Sequence, residues 1–77
     1  MKVDPDARTP PYKQLAAILR TEIKSGERAP GSRIPSINRL ANDHGIATAT
    51  VVKALGLLKA ERLIEGEPGH GTFVAER

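Results

Sequence analysis

Three residues, Gly45-Ile46-Ala47, separate two stretches of helical periodicity, and this spacing constrains the chain more than any other feature. Before the gap, Ile37, Leu40 and Ala41 recur at helical spacing behind Ser36, a good helix N-cap, and Gly45 closes the segment after His44. After it, Val51, Ala54, Leu55 and Leu58 mark the inward stripe of a helix that begins near Thr48 and is expected to end near Ala60 to Arg62. Two helices joined by a short glycine-bearing turn form a recognised supersecondary unit, and Ile46 is the natural plug between them. Val52 and Leu57 lie off the stripe centre: Val52 is expected to face outward, and Leu57 is within reach of the core.

The unit needs further elements to bury its apolar faces, and no covalent staple helps. The chain has 77 residues and no cysteine, so disulfides and thiolate metal sites are excluded. Tyr12, Leu15, Ala16, Leu19 and Ile23 supply one more helical face, widened by Ile18. Pro11 suits the first turn and Gly26 the carboxyl-terminal cap, which predicts a helix from about Pro11 to Ser25. Pro30-Gly31 signals a turn. Leu63-Ile64 and Thr72-Phe73-Val74 flank a stretch with Gly66, Pro68, Gly69 and Gly71, read as a β-hairpin with a long loop. Residues 1–10, with Pro5 and Pro10, are expected to be a flexible lead-in. The predicted fold is mainly α with a small β-hairpin: three helices plus a wing, a winged helix-turn-helix over residues 11–75.

Several function classes fail on inventory. His44 and His70 fall in different elements, and Glu65 and Glu67 alternate on an exposed hairpin, where carboxylates are usually solvated. No phosphate-cradling glycine loop precedes a helix, and no metal ligands cluster. No catalytic residue, cofactor or metal is therefore expected. Tyr12 and Phe73 are the only aromatic residues, too few for stacking on single-stranded nucleic acid. No apolar run reaches membrane-spanning length and no signal-peptide core opens the chain, so a cytoplasmic protein without a membrane partner is expected. Twelve Lys and Arg against nine Asp and Glu give a net charge of +3, compatible with a polyanion or with an ordinary solvated surface.

In the DNA-binding form of the helix-turn-helix, the second helix lies in the major groove. Here its start, Thr48-Ala49-Thr50, is small and polar, and a helix amino end offers free N–H groups and partial positive charge to phosphate. One of the two threonines is expected to cap the helix, because Ala47 has no side chain to do so. Ser36 is first of all an N-cap, and beside a DNA backbone it would serve both purposes. The glycine-rich tip Gly69-His70-Gly71-Thr72 is small enough for the minor groove. His70 either reaches a base edge or phosphate, or is an ordinary solvated loop histidine. Gly71 is expected to matter more to binding than to folding. The rival to duplex DNA binding is a protein-interaction winged helix with an apolar patch seeded by Leu57 and Val52.

Taken together, Tyr12-Lys13-Gln14-Leu15, Ile23-Lys24-Ser25-Gly26, Pro30 to Ser36, Leu40-Ala41 and Gly71-Thr72-Phe73-Val74 resemble the GntR family of bacterial regulators over about Pro11 to Val74. The resemblance implies a winged helix-turn-helix that binds palindromic operators as a homodimer. It places Ser36 at a phosphate, Thr48 to Lys53 at the major groove and Gly69 to Thr72 at the wing tip. The chain departs from the family pattern where arginines are frequent: Asn38 follows Ser36 by two, with Arg39 next to it, Thr48 is second in the recognition turn, and Val52 replaces another. Arg62 stands where a glycine is usual. A less guanine-dependent site follows, read by Asn38, Thr48, Thr50 and methyl contacts of Ala49 and Val52 to thymine, with backbone charge from Arg39 and Lys53. Family members normally carry a carboxyl-terminal effector or oligomerisation domain. Only Ala75-Glu76-Arg77 follow Val74, so no effector domain or small-molecule pocket is expected in this segment.

Overall fold

Pro10 and Pro11 set the start of the first helix, since proline tolerates the opening turn where an N–H has no intrahelical acceptor. In the computed structural model, which describes residues 3–4, 6–67 and 71–76, α1 spans Pro11–Lys24 and ends at Ser25, with Gly26 at φ 87°. Helix α2 spans Ile37–His44. The Ser36 Oγ accepts the Arg39 N–H at 3.2 Å, and Gly45 closes the helix at φ 64°. Helix α3 spans Thr48–Ala60, β1 Ile64–Glu67 and β2 Gly71–Val74. The order is three helices and then an antiparallel hairpin, in register Ile64 with Val74 through Glu67 with Gly71.

Helix α3 is the hub and packs against α1, α2 and β1. Its stripe Val51, Ala54, Leu55 and Leu58 is buried against Leu15, Ala16, Ile18 and Leu19 of α1, Leu40 and Ala41 of α2, and Ile64 and Val74 of the hairpin. Burial of this set supplies the main drive to fold. Ile46 is half-buried against the core as a plug, and its N–H donates to the Ala41 carbonyl at 3.0 Å. Among the described residues no helix is long and apolar enough to cross a membrane.

Several local expectations change. Both threonines lie inside α3, so neither caps it: the N-cap is Ala47, with no side-chain hydrogen bond. Leu57 is 36% exposed and stays outside the core. The hairpin strands run through the polar stretch to Glu67 and Gly71, leaving only residues 68–70 between them. The Pro30-Gly31 turn leads into a third extended piece. Gly31 N–H donates to the Val74 carbonyl, Ile34 N–H to Thr72 and Val74 N–H to Ser32, at 2.9, 2.7 and 2.8 Å. Arg33 pairs with Phe73, and Ile34 enters the core. Within residues 1–10, Val3 is buried and its N–H donates to His44 Nδ1 at 3.4 Å. The Gln14 side chain accepts from Asp4 N–H and donates to the Asp4 and Thr9 carbonyls, each at 2.7 Å. The expected lead-in is thus tied to α1 and α2 at these described points.

Arg20 of α1 donates two hydrogen bonds to the Glu61 carboxylate at the end of α3, and they hold that carboxyl below its ordinary range. Glu61 is followed by Arg62 at φ 61°. Arg62 N–H donates to the Lys59 carbonyl at 2.9 Å and Leu63 N–H to that of Leu58 at 3.0 Å. This pairing closes a helix through a left-handed residue, a position that favours glycine. The exposed Arg62→Gly replacement should therefore stabilise the fold by about 1 kcal/mol, raising the melting temperature by about 4–8 °C. A thermal melt followed by circular dichroism reads this, and a lowered midpoint would refute it.

Candidate nucleic-acid interface

Helix α3 carries two lysines and no carboxylate, and neither α2 nor α3 has an acidic residue in its first turn. No carboxylate on the helix offsets the positive amino end of α3. Its first turn is also open. Thr50 and Val51 N–H groups donate to the Ala47 carbonyl at 3.0 and 3.2 Å, while those of Thr48 and Ala49 have no acceptor among the described residues. Thr48 and Ala49 are exposed, Thr50 is half-buried, Val52 is 53% exposed and Lys53 projects outward. The amino end of α3 is therefore a surface, with its apolar stripe turned the other way.

The starts of α1 and α3 meet there. Pro11 and Tyr12 line a shallow notch together with Ala49, Thr50 and Lys53. The Lys53 ammonium stands 4.7 Å from the centre of the Tyr12 ring, within cation–π range. Tyr12 is half-buried against the core, so this contact restrains the one cation in the first two turns of α3. In sequence, periodicity places Tyr12 on the apolar face of α1 and does not show that its ring face meets a lysine of another helix.

The other expected site residues are distributed as follows. Ser36, Asn38 and Arg39 are exposed at the start of α2, with Ser36 occupied as the cap. Arg39 lies 3.7 Å from Asp43 one turn on, an exposed pair that leaves its charge available at little cost. Gly71 opens β2 at φ 106°, a left-handed-side conformation that a side chain would strain, so it is required for folding as well as for any contact. Thr72 is half-buried, and its carbonyl belongs to the sheet. Gly69 and His70 lie outside the described residues. Arg33, which the sequence reading passed over inside a turn signal, sits beside Gly71 on the wing.

Comparison with known proteins agrees with this geometry. Residues 11–74 match the model of the family described as "Bacterial regulatory proteins, gntR family". The chain is 42% identical over 67 residues to an uncharacterized HTH-type transcriptional regulator, YdfD, of Bacillus subtilis, covering 87% of this chain and 14% of that protein. The first few curated relatives are much longer, and the chain spans only 14–15% of their length. YtrA from Sulfolobus acidocaldarius, a GntR-family transcription factor, superposes with a TM-score of 0.91 at 36% identity, over 99% of this chain and 80% of that one. The AraR DNA-binding domain, solved in complex with its operator ORX1, superposes with a TM-score of 0.87 at 31% identity, over 97% and 93% of the two chains. With the three-helix-plus-hairpin fold and a family match across nearly the whole chain, this protein belongs to the gntR family of bacterial regulatory proteins as a winged helix-turn-helix domain.

Proposed function

We propose that this chain binds double-stranded DNA as the operator-reading part of a transcription regulator, with α3 in the major groove and the wing at the minor groove. The observation that carries the reading is the amino end of α3: exposed, uncapped, free of carboxylate and flanked by Lys53. A phosphate satisfies the open N–H groups of Thr48 and Ala49 and the Lys53 ammonium together. Ser36 and Arg39 at the start of α2 add contacts to the backbone, which fix register. Sequence is read by Asn38, Thr48 and Thr50 and by the exposed methyl groups of Ala49 and Val52. Without arginine on α3, thymine methyls weigh more than guanine edges. The operator complexes of the AraR domain support the reading by analogy of fold.

A single head with so few cations binds weakly, so the natural site is a palindrome occupied by two copies, where effective concentration supplies the missing affinity. The repressor names among the relatives favour repression as the outcome. Exposed Ile37, Val52 and Leu57 are each partly covered and are ordinary for a protein surface. Lys53→Ala tests the proposal. Anisotropy titrations over a salt series should show weaker binding to all duplexes alike and a salt slope smaller by about one unit. A changed sequence preference with an unchanged slope would remove Lys53 from the backbone. No duplex affinity at low salt in the unaltered chain would end the DNA reading.

A further inference from the structure

The wing has the wrong charge for its proposed partner. Its strands Ile64–Glu67 and Gly71–Val74 carry two carboxylates, Glu65 and Glu67, and no lysine or arginine. Such a hairpin is repelled by a phosphate backbone unless a cation reaches it from elsewhere.

The third extended piece supplies one. Its hydrogen bonds to β2 fix Arg33 opposite Phe73. Alternation along the strands puts Arg33 on the face of Phe73 and Gly71, away from buried Ile34 and Val74. The side chain then runs along β2 towards the hairpin turn. A β-carbon at Gly71 would stand 3.1 Å from the Arg33 Nε and 3.2 Å from an outer guanidinium nitrogen. The glycine thus leaves the strip of surface on which the guanidinium lies. Arg20, Arg28 and Arg39 each have a carboxylate partner, whereas Arg33 is exposed and takes part in no ion pair among the described residues. On the other face, Lys59 of α3 reaches over Gly66, its Nζ 3.4 Å from where a β-carbon would be. Both strand glycines of the wing are therefore covered by a cation from outside the hairpin.

We propose that Arg33 is the DNA-contacting cation of the wing, its guanidinium held along Gly71 to take a backbone phosphate beside the groove the wing enters. The assignment rests on the DNA-binding reading above and adds a residue outside the helix-turn-helix. It also accounts for a glycine at the start of β2 by a contact within the protein, since its open flank is filled by Arg33.

The test uses the 77-residue chain with Arg33→Gln and Arg33→Lys variants. Each is titrated over a salt series with a duplex of random sequence and with a duplex selected from a random pool. Arg33→Gln should lose roughly tenfold in affinity and lower the salt slope by about 0.9, to a similar extent for both duplexes, with its melting temperature unchanged. Arg33→Lys should keep the slope. An Arg33→Gln variant that binds like the unaltered chain, while Lys53→Ala weakens binding, would overturn the Arg33 assignment and leave the DNA reading standing. A shifted sequence preference at constant slope, or a loss that follows a lowered melting temperature, would overturn it too. An unaltered chain that binds neither duplex would overturn both.

Discussion

Replacing Ala47 by aspartate should stabilise the fold and abolish duplex binding in the same molecule. Ala47 holds the N-cap of α3 at φ −70° and ψ 150°, nearly the geometry of Ser36 at −62° and 160°, yet only Ser36 has a side-chain oxygen that accepts an N–H of its helix. The backbone is already set for a cap that the side chain does not provide. Aspartate there would accept from the first turn and add a negative charge at the positive helix end, stabilising the domain by about 1 kcal/mol and raising the melting temperature by about 4–8 °C. The same carboxylate would occupy the N–H groups reserved for a phosphate and repel it. Two unit charges about 4 Å apart at a protein surface interact by on the order of 4 kcal/mol, so affinity should fall by a hundredfold or more, about 1.4 kcal/mol for each factor of ten. Ala47→Ser separates the two effects, since it caps without charge: it should recover the capping part of the aspartate variant's gain in thermal melts and keep near-normal affinity in anisotropy titrations. If the aspartate variant bound DNA as well as the serine variant, the amino end of α3 would not be where the phosphate sits.

That open cap also shows where sequence reasoning reached its limit. The three helices, the hairpin and the buried stripe of α3 follow from apolar periodicity and from glycine and proline punctuation, which are local signals. The cap of α3 does not, because Thr48, Ala49 and Thr50 all suit a first turn and nothing in their spacing says where helical dihedrals begin. Arg33 and Ile34 were hidden for a related reason. A strand that pairs through one bridge is too short to show alternation, and the Pro30-Gly31 turn next to it dominates the local pattern. A β-branched Ile34 held between Arg33 and Pro35 was the available trace. The contact of Lys53 with Tyr12 joins residues forty-one apart in the chain, and only the packing of α1 on α3 creates it. Val3 is similar: its burial depends on where α1 and α2 leave a gap, and a lone valine among polar residues gives no periodicity.

The neighbouring leucines of α3 give the largest expected effect on folding. Leu58 is fully buried, whereas Leu57 is 36% exposed. One step along a helix turns a side chain by about 100°, enough to carry it from the stripe shared with Val51, Ala54 and Leu55 to the rim. A domain of this size has a total stability of about 4–12 kcal/mol, on the scale of 0.05–0.15 kcal/mol per residue. Leu58→Ala removes a fully buried side chain from the core that α3 shares with its neighbours, and should cost about 2–5 kcal/mol, a large share of that total. Leu57→Ala should stay within about 0.5 kcal/mol of the unaltered chain. Melting temperatures read both: a fall of more than about 10 °C for the first and almost none for the second. Duplex binding supplies the control, because neither leucine belongs to the proposed contact surface. Any affinity lost by Leu58→Ala should return on cooling into the range where the variant is folded. Equal losses of stability at the two positions would mean that α3 is rotated about its axis from the arrangement described, and the exposed turn at Thr48 would rotate with it.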